Sequence, residues 1–241
     1  MPRLVPFLAD GISYAASVIS LRFIKTDFQQ ERKVTARNLL AEIREGVAWL
    51  WHNPLIRYMA FLTGGMNAAI GALYLTLVTL AKSQHASSVS IGLMFAVVSV
   101  GGVLGALAAP RIQRRFGFGQ VIITLFWAIA LVWPLFAVAP SFLVLGALAA
   151  VIYGLGPVYN AVQFAYRLAL IPDELQGRVN SAYRLVAYGC QPLGVLLSGL
   201  LIQAIGPVRT VLVFSVWVAL LAIVTTLNAR VRRAPAIAAA S

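Results

Sequence analysis

Seven runs of mostly apolar residues, each long enough to span a bilayer and closed by a short polar or charged joint, constrain this chain more than any other feature. A hydrocarbon core of roughly 30 Å holds no water for backbone amides, and a helix of about 20 apolar residues both spans it and satisfies its own amides. The runs lie near Leu4–Ile24, Leu55–Leu80, Ile91–Ala109, Val121–Val138, Phe142–Ile171, Val179–Ile205 and Val208–Leu227. The expected fold class is therefore an all-α polytopic membrane protein with about seven transmembrane helices. Composition agrees: 61% of the residues are hydrophobic and 11% charged, against roughly 45–50% and about 25% in soluble domains. This excludes an ordinary soluble globular domain. The fifth run is too long for a perpendicular span, and Gly154, Gly156 and Pro157 mark where it is expected to kink. The first run carries only Arg3 as a basic flank, holds Asp10 inside it and lacks a small-residue cleavage site, so it is expected to persist as a helix rather than be removed as a signal.

The formal charge of +12 is a question of placement. Arg22, Lys25, Arg32, Lys33, Arg37, Arg44 and Arg57 fall between the first two runs, and Arg111, Arg114 and Arg115 between the third and fourth. Arg167, Arg178 and Arg184 surround the fifth joint, and Arg230, Arg232 and Arg233 follow the last run. Only Arg3, Lys82 and Arg209 belong to the opposite side. Short cytoplasmic loops carry the positive excess, so a seven-span chain in the plasma (inner) membrane is expected to have its N-terminus outside and its C-terminus in the cytoplasm. The cations are read as topology, and no nucleic-acid partner is expected.

Between the first two runs, Leu39, Leu40, Ile43, Val47, Leu50 and Trp51 recur at helical spacing while Arg37, Glu42, Arg44 and Glu45 take other faces. The pattern predicts an amphipathic helix in the cytoplasmic interface, with Trp49 and Trp51 at headgroup depth, ending before Pro54. A soluble partner-binding helix is the alternative. Gly101, Gly105 and Ala109 make a smooth stripe on the third run, and Gly194 and Ser198 repeat the spacing on the sixth. Such stripes let helices approach closely.

Ionisable residues inside spans are functional candidates, and Asp10 is the only acid in a predicted span. Cys190 is alone, which excludes an internal disulfide, and its apolar setting fits a packed thiol. His52 and His85 fall near opposite interfaces, so they cannot share a metal. The sequence contains no metalloprotease His-Glu-x-x-His, no Gly-x-Ser-x-Gly elbow, no ATP-binding phosphate loop and no lysine for a retinal Schiff base in the last run. Neither an enzyme nor a cofactor is expected.

After the first run the hydropathy reads as three spans, a short joint at Ala139-Pro140-Ser141, and three more, with Gly102-Val103-Leu104 and Gly194-Val195-Leu196 in the second span of each triplet. The segments Pro6-Phe7-Leu8-Ala9-Asp10 with Ser13-Tyr14, Arg44-Glu45-Gly46 leading to Trp51-His52-Asn53-Pro54-Leu55, and Gly105-Ala106-Leu107 before Arg114-Arg115-Phe116-Gly117 resemble the major facilitator superfamily. The joint Pro172-Asp173-Glu174-Leu175-Gln176-Gly177-Arg178-Val179 carries the resemblance most specifically. The chain is most similar to that family's exporter branch for drugs, macrolides and enterobactin-type siderophores.

The resemblance implies twelve spans in two six-span halves, with substrate held between them and export driven by an ion gradient. Residues 1–24 then correspond to the last span of the first half, 25–54 to the central linker, 55–229 to the C-terminal half and 230–241 to a cytoplasmic tail. About five spans would be absent, so the expected partners are the bilayer, a small-molecule substrate and an N-terminal transporter half. The resemblance places the substrate cavity on the first span of each triplet, whose polar and aromatic candidates are Asn67, Tyr74, Tyr153, Tyr159, Asn160 and Gln163, with Gln191 on the sixth run. Interhelical hydrogen bonding is the competing role for each. Tyr159 and Gln163 are four apart and share a helix face, from which Asn160 is turned by about 100°. Asp10 is the coupling candidate, while Arg111, Arg114, Arg115, Asp173, Glu174 and Arg178 are gate or anchor candidates. Arg178 is expected to bridge to Asp173 and Glu174 locally, with a contact across the cytoplasmic gate as the alternative. The family's usual Asp four residues after Gly105 is replaced by Ala109, which removes a charge latch there. A non-transporting membrane scaffold, or a vestigial fragment that pairs with another membrane chain, is the alternative function.

Overall fold

A computed structural model describes residues 5–23 and 39–234. The chain divides into two units, Met1–Asn38 and Leu39–Ser241. In the first, α1 (Val5–Arg22) is a helix whose Ser17 and Ser20 hydroxyls return to the carbonyls of Ser13 and Ala16. The linker cations Lys25, Arg32, Lys33 and Arg37, together with Arg3 and residues 235–241 of the tail, lie outside the described residues.

The second unit holds α2 (Leu39–His52), α3 (Pro54–Ser83), α4 (Ser88–Arg115), α5 (Phe118–Val132), α6 (Phe142–Leu170), α7 (Gln176–Ile205), α8 (Pro207–Leu227) and the short α9 (Ala229–Arg232). The helix boundaries follow from local chemistry. Asn53 closes α2 by donating its side-chain amide to the Trp49 carbonyl, and Pro54 opens α3, where a missing N–H is harmless. Ser87 and Ser141 accept from the first-turn amides of Ser90 and Val144 at the starts of α4 and α6. Gly206, at φ +81, takes the left-handed conformation that lets α7 end and Pro207 begin α8. Pro134 cannot return an N–H to the preceding turn, and α5 tightens there into a 3-10 segment, Trp133–Val138. Pro157, by contrast, sits inside a continuous α6, where it leaves the Tyr153 carbonyl without its helical donor.

Six of the described helices are long and apolar enough to cross a membrane: α3, α4, α5 with its 3-10 extension, α6, α7 and α8. Of the seven expected spans, the first falls outside this set. Its helix has 18 residues, including Asp10 and Arg22.

The six-helix body is organised by exchange. Helix α3 packs along α7 and α4 along α6, while α5 meets α8; α3 also meets α8 and α5 meets α6. Swapping the triplet α3-α4-α5 with α6-α7-α8 maps this pattern onto itself, as a three-plus-three repeat requires. The closest approaches use the small-residue stripes. A Cβ on Gly101 or Gly105 would collide with the backbone of Ala150 or Gly154 on α6, and one on Gly194 with the backbone of Ala68 on α3. Ser198 and Ala109 are buried on the same faces. The Gly-Val-Leu triplets do not correspond, however: a Cβ on Gly102 would meet open space, whereas Gly194 is in tight contact. The tight contact of Gly194 is matched on α4 by Gly101 and Gly105 instead.

Two segments flanking the six-helix body pack against it more closely than their composition suggests. Helix α2 turns Gly46 and Leu50 inward against the body, so Leu50 is not part of the outward stripe; Leu40, Ile43, Val47 and Trp51 remain exposed, and Trp49 is half-buried. The segment after α8 also packs against the body. Asn228 caps α9, and Val231 is buried where its carbonyl reaches Gly119 at the start of α5.

Candidate functional site

The polar centre of the body is a threonine. Thr63 on α3 is buried, and its Oγ1 lies 2.7 Å from the Met59 carbonyl, 2.7 Å from the Tyr159 hydroxyl and 2.6 Å from the Tyr183 hydroxyl. Gln163 donates its amide to Thr63 at 2.7 Å and to the Tyr159 hydroxyl, and Tyr183 also donates to the Met59 carbonyl. The hydrogens can therefore run from Gln163 through Thr63 and Tyr183 to a backbone carbonyl, which satisfies these buried groups. Tyr159 and Gln163 share a face, as their spacing predicts, and the network ties α3, α6 and α7 together. Neither Thr63 nor Tyr183 stood out in the sequence, because a single Thr or Tyr in an apolar run has no local signature.

Two cavities flank this network. One, of about 190 Å³, is lined mainly by apolar side chains such as Met66, Ile70, Leu125, Phe126, Ile129 and Ile152, with Asn67, Tyr153, Tyr159 and Asn160 supplying polarity. The other, of about 280 Å³, is lined by Asn160, Gln163, Phe164, Arg167, Asn180, Tyr183, Arg184 and Tyr188 among others. Both include Thr63, Asn160 and Tyr188, so they form adjoining parts of one groove. Asn67 is committed to packing as well, since its amide donates to the Ala187 carbonyl of α7 at 2.8 Å. Asn160 is exposed, lies one residue beyond Tyr159 and lines both parts.

Tyr74 and Tyr153 line a further cavity with Gly102 and with Phe95, whose ring centroid is 5.3 Å from that of Tyr74. Gln191 lies apart from all three cavities. It is exposed, and its backbone abuts Gly71 at the α3–α7 contact. Asp10 is exposed on α1, in the separate first unit.

The charged candidates divide. Arg178 does not bridge to Asp173 or Glu174; its guanidinium pairs with Glu45 and, at 3.4 Å, with Glu42, both on α2. The physical reason is the close seat of α2 on the first turn of α7, where Gly46 meets the Arg178 backbone. Asp173 instead accepts from the Gln176 amide at 2.8 Å, and Glu174 is exposed. Arg111, Arg114 and Arg115 are exposed at the C-terminal end of α4, where cations complement the helix dipole. Arg167 and Arg184, counted with the loop cations on sequence, lie inside α6 and α7. Cys190 is a packed thiol against Gly64, donating to the Val186 carbonyl.

Residues 58–240 match the Major Facilitator Superfamily. The chain belongs to that superfamily. It is 28% identical to the multidrug efflux pump Tap of Mycolicibacterium fortuitum over 234 residues, 91% of this chain and 54% of that protein. Against the multidrug efflux pump Tap of Mycobacterium tuberculosis it is 30% identical over 208 residues, 80% of this chain and 47% of the relative. With the enterobactin exporter EntS of Citrobacter koseri the figures are 26% over 182 residues, 75% and 42%. This facilitator chain thus spans about half the length of the curated relatives it matches. No solved structure matches it significantly.

Proposed function

We propose that this facilitator chain supplies the C-terminal half of a secondary active exporter for small amphipathic molecules, driven by an ion gradient. The observation that carries the reading is the groove around Thr63: an apolar and aromatic wall with a few amides and hydroxyls suits the body of an amphipath and can orient it. The alignment with about half of the drug and siderophore exporters supports it, and a six-helix partner half would complete the cavity. In this reading Asn160 and Tyr153 contact substrate, the Thr63 network holds the wall, and Arg178 with Arg111, Arg114 and Arg115 forms the cytoplasmic rim. Asp10 is the acid proposed for coupling. The proposed setting is the inner membrane, with the end of α8 and the tail in the cytoplasm.

The test joins this chain to the preceding N-terminal half of the Mycolicibacterium fortuitum relative in cells lacking their main efflux pumps. The expected result is Nile red efflux that a protonophore abolishes, that Asp10→Asn slows, and that is missing when the chain is expressed alone. Efflux by the chain alone at the rate of the joined protein would overturn the half-transporter reading, and efflux indifferent to the protonophore would overturn gradient coupling.

A further inference from the structure

Among the described residues, one buried arginine lacks a hydrogen-bond acceptor for two of its guanidinium nitrogens. Arg167, 8% exposed, holds its guanidinium carbon 3.9 Å from the centroid of the Tyr183 ring, yet its Nε and Nη1 are buried without a hydrogen-bond acceptor. The ring offers a cation attraction, but it does not accept the directional N–H bonds of a guanidinium. A second cation, Arg184, lines the same cavity about one turn along α7 from Asn180, whose buried side-chain oxygen is also unpartnered. Among the described residues lining this cavity none is acidic. Asn180 is neutral and cannot offset two charges. A buried, uncompensated arginine inside a span is expensive, and ionisable residues at such positions mark substrate or ion pathways. The cavity continues, through Thr63, Asn160 and Tyr188, into the apolar part walled by Met66, Leu125 and Phe126.

We propose that this groove binds amphipathic organic anions, with the carboxylate or sulfonate seated between Arg167 and Arg184 and the apolar body against the aliphatic and aromatic wall of α3, α5 and α6. This deepens the exporter reading and rests on it: it names the charge class of the cargo. Guanidinium donors suit a planar or branched oxyanion by paired hydrogen bonds, while a cationic amphipath meets two like charges at that end.

The test uses the whole chain purified into nanodiscs of phosphatidylcholine, with two probes that share a fluorescent body and differ in head charge: N-dansyltaurine, an anion, and dansylcadaverine, a cation. The expected result is binding of the anion at least tenfold tighter than the cation. Arg167→Gln is expected to erase most of that preference, Arg167→Lys to keep part of it, and Arg184→Gln to reduce it several-fold. Arg184 is exposed, so its variant reports on the site even where the Arg167 variants fail to fold. Equal affinity for both probes, or a preference untouched in Arg184→Gln and in a folded Arg167→Gln, overturns the anion assignment and leaves the exporter reading standing. Binding of neither probe counts against the groove as a cargo site altogether. Loss of anion binding on adding a few mole per cent of phosphatidylglycerol assigns the arginine seat to a lipid phosphate and overturns it as a cargo site.

Discussion

At the residue scale, Thr63 decides how three helices meet. Its hydroxyl sits within 2.7 Å of Met59, Tyr159, Tyr183 and Gln163 atoms, and the tyrosine partners lie 96 and 120 residues away in sequence. Hydrogen bonds between membrane helices average about 0.6 kcal/mol each, with a maximum near 1.7. Thr63→Val keeps the shape and removes the hub, so it should destabilise the protein by about 1–2 kcal/mol; Tyr183→Phe, which leaves the Gln163–Thr63 bond in place, should cost about half as much. Thermal unfolding in nanodiscs measures both, and an unchanged midpoint for Thr63→Val would refute the hub. The pairing of Tyr159 with Gln163 was legible from their spacing of four. Their joint partner was not, because nothing local in α3 distinguishes Thr63 from Thr76, which simply returns its hydroxyl to its own helix. The burial of Arg167 was not legible for a related reason. Charge near a joint looks like topology until the helix is seen to carry it inward.

At the element scale, the helix pairs α4 with α6 and α3 with α7 depend on the absence of side chains. Gly105→Ala and Gly194→Ala place a methyl against a neighbouring backbone, which must retreat; overpacking of this kind costs about 1–3 kcal/mol. Gly102→Ala meets nothing and should be neutral or slightly stabilising through helix propensity. The three midpoints, compared in one thermal series, check the claim, and equal effects would sink it. Helix α2 is held differently, by the Arg178 pairs with Glu42 and Glu45, whose side chains are partly exposed. Such pairs are worth up to about 1 kcal/mol, so Arg178→Glu should speed amide exchange across residues 39–52 by several-fold while the six-helix body keeps its melting point. Restored protection in the double variant Arg178→Glu, Glu45→Arg would tie the effect to this pair.

At the scale of the whole molecule, the proposed orientation makes a labelling prediction. With Cys190 replaced by alanine, a cysteine at His85, in the joint between α3 and α4, should react with a membrane-impermeant maleimide added to intact cells. One at Gln113, on the exposed end of α4, should react only after lysis. The reverse pattern would invert the topology.

The apolar runs and the sorting of cations are properties of short stretches of chain, and so are the caps at Ser87, Ser141 and Gly206. The six spans of the body and the small-residue faces could thus be read before any fold was known, since each follows from a segment's own transfer free energy or backbone freedom. Which faces met could not. The seat of α2 on Arg178, the burial of Leu50 and Val231, and the convergence of Thr63, Gln163, Tyr183 and Arg167 on one groove all depend on surfaces far apart in sequence. In lipid, where apolarity favours no one helix pair over another, close packing and interhelical hydrogen bonds choose among the possible pairings, and those terms exist only once the helices are assembled.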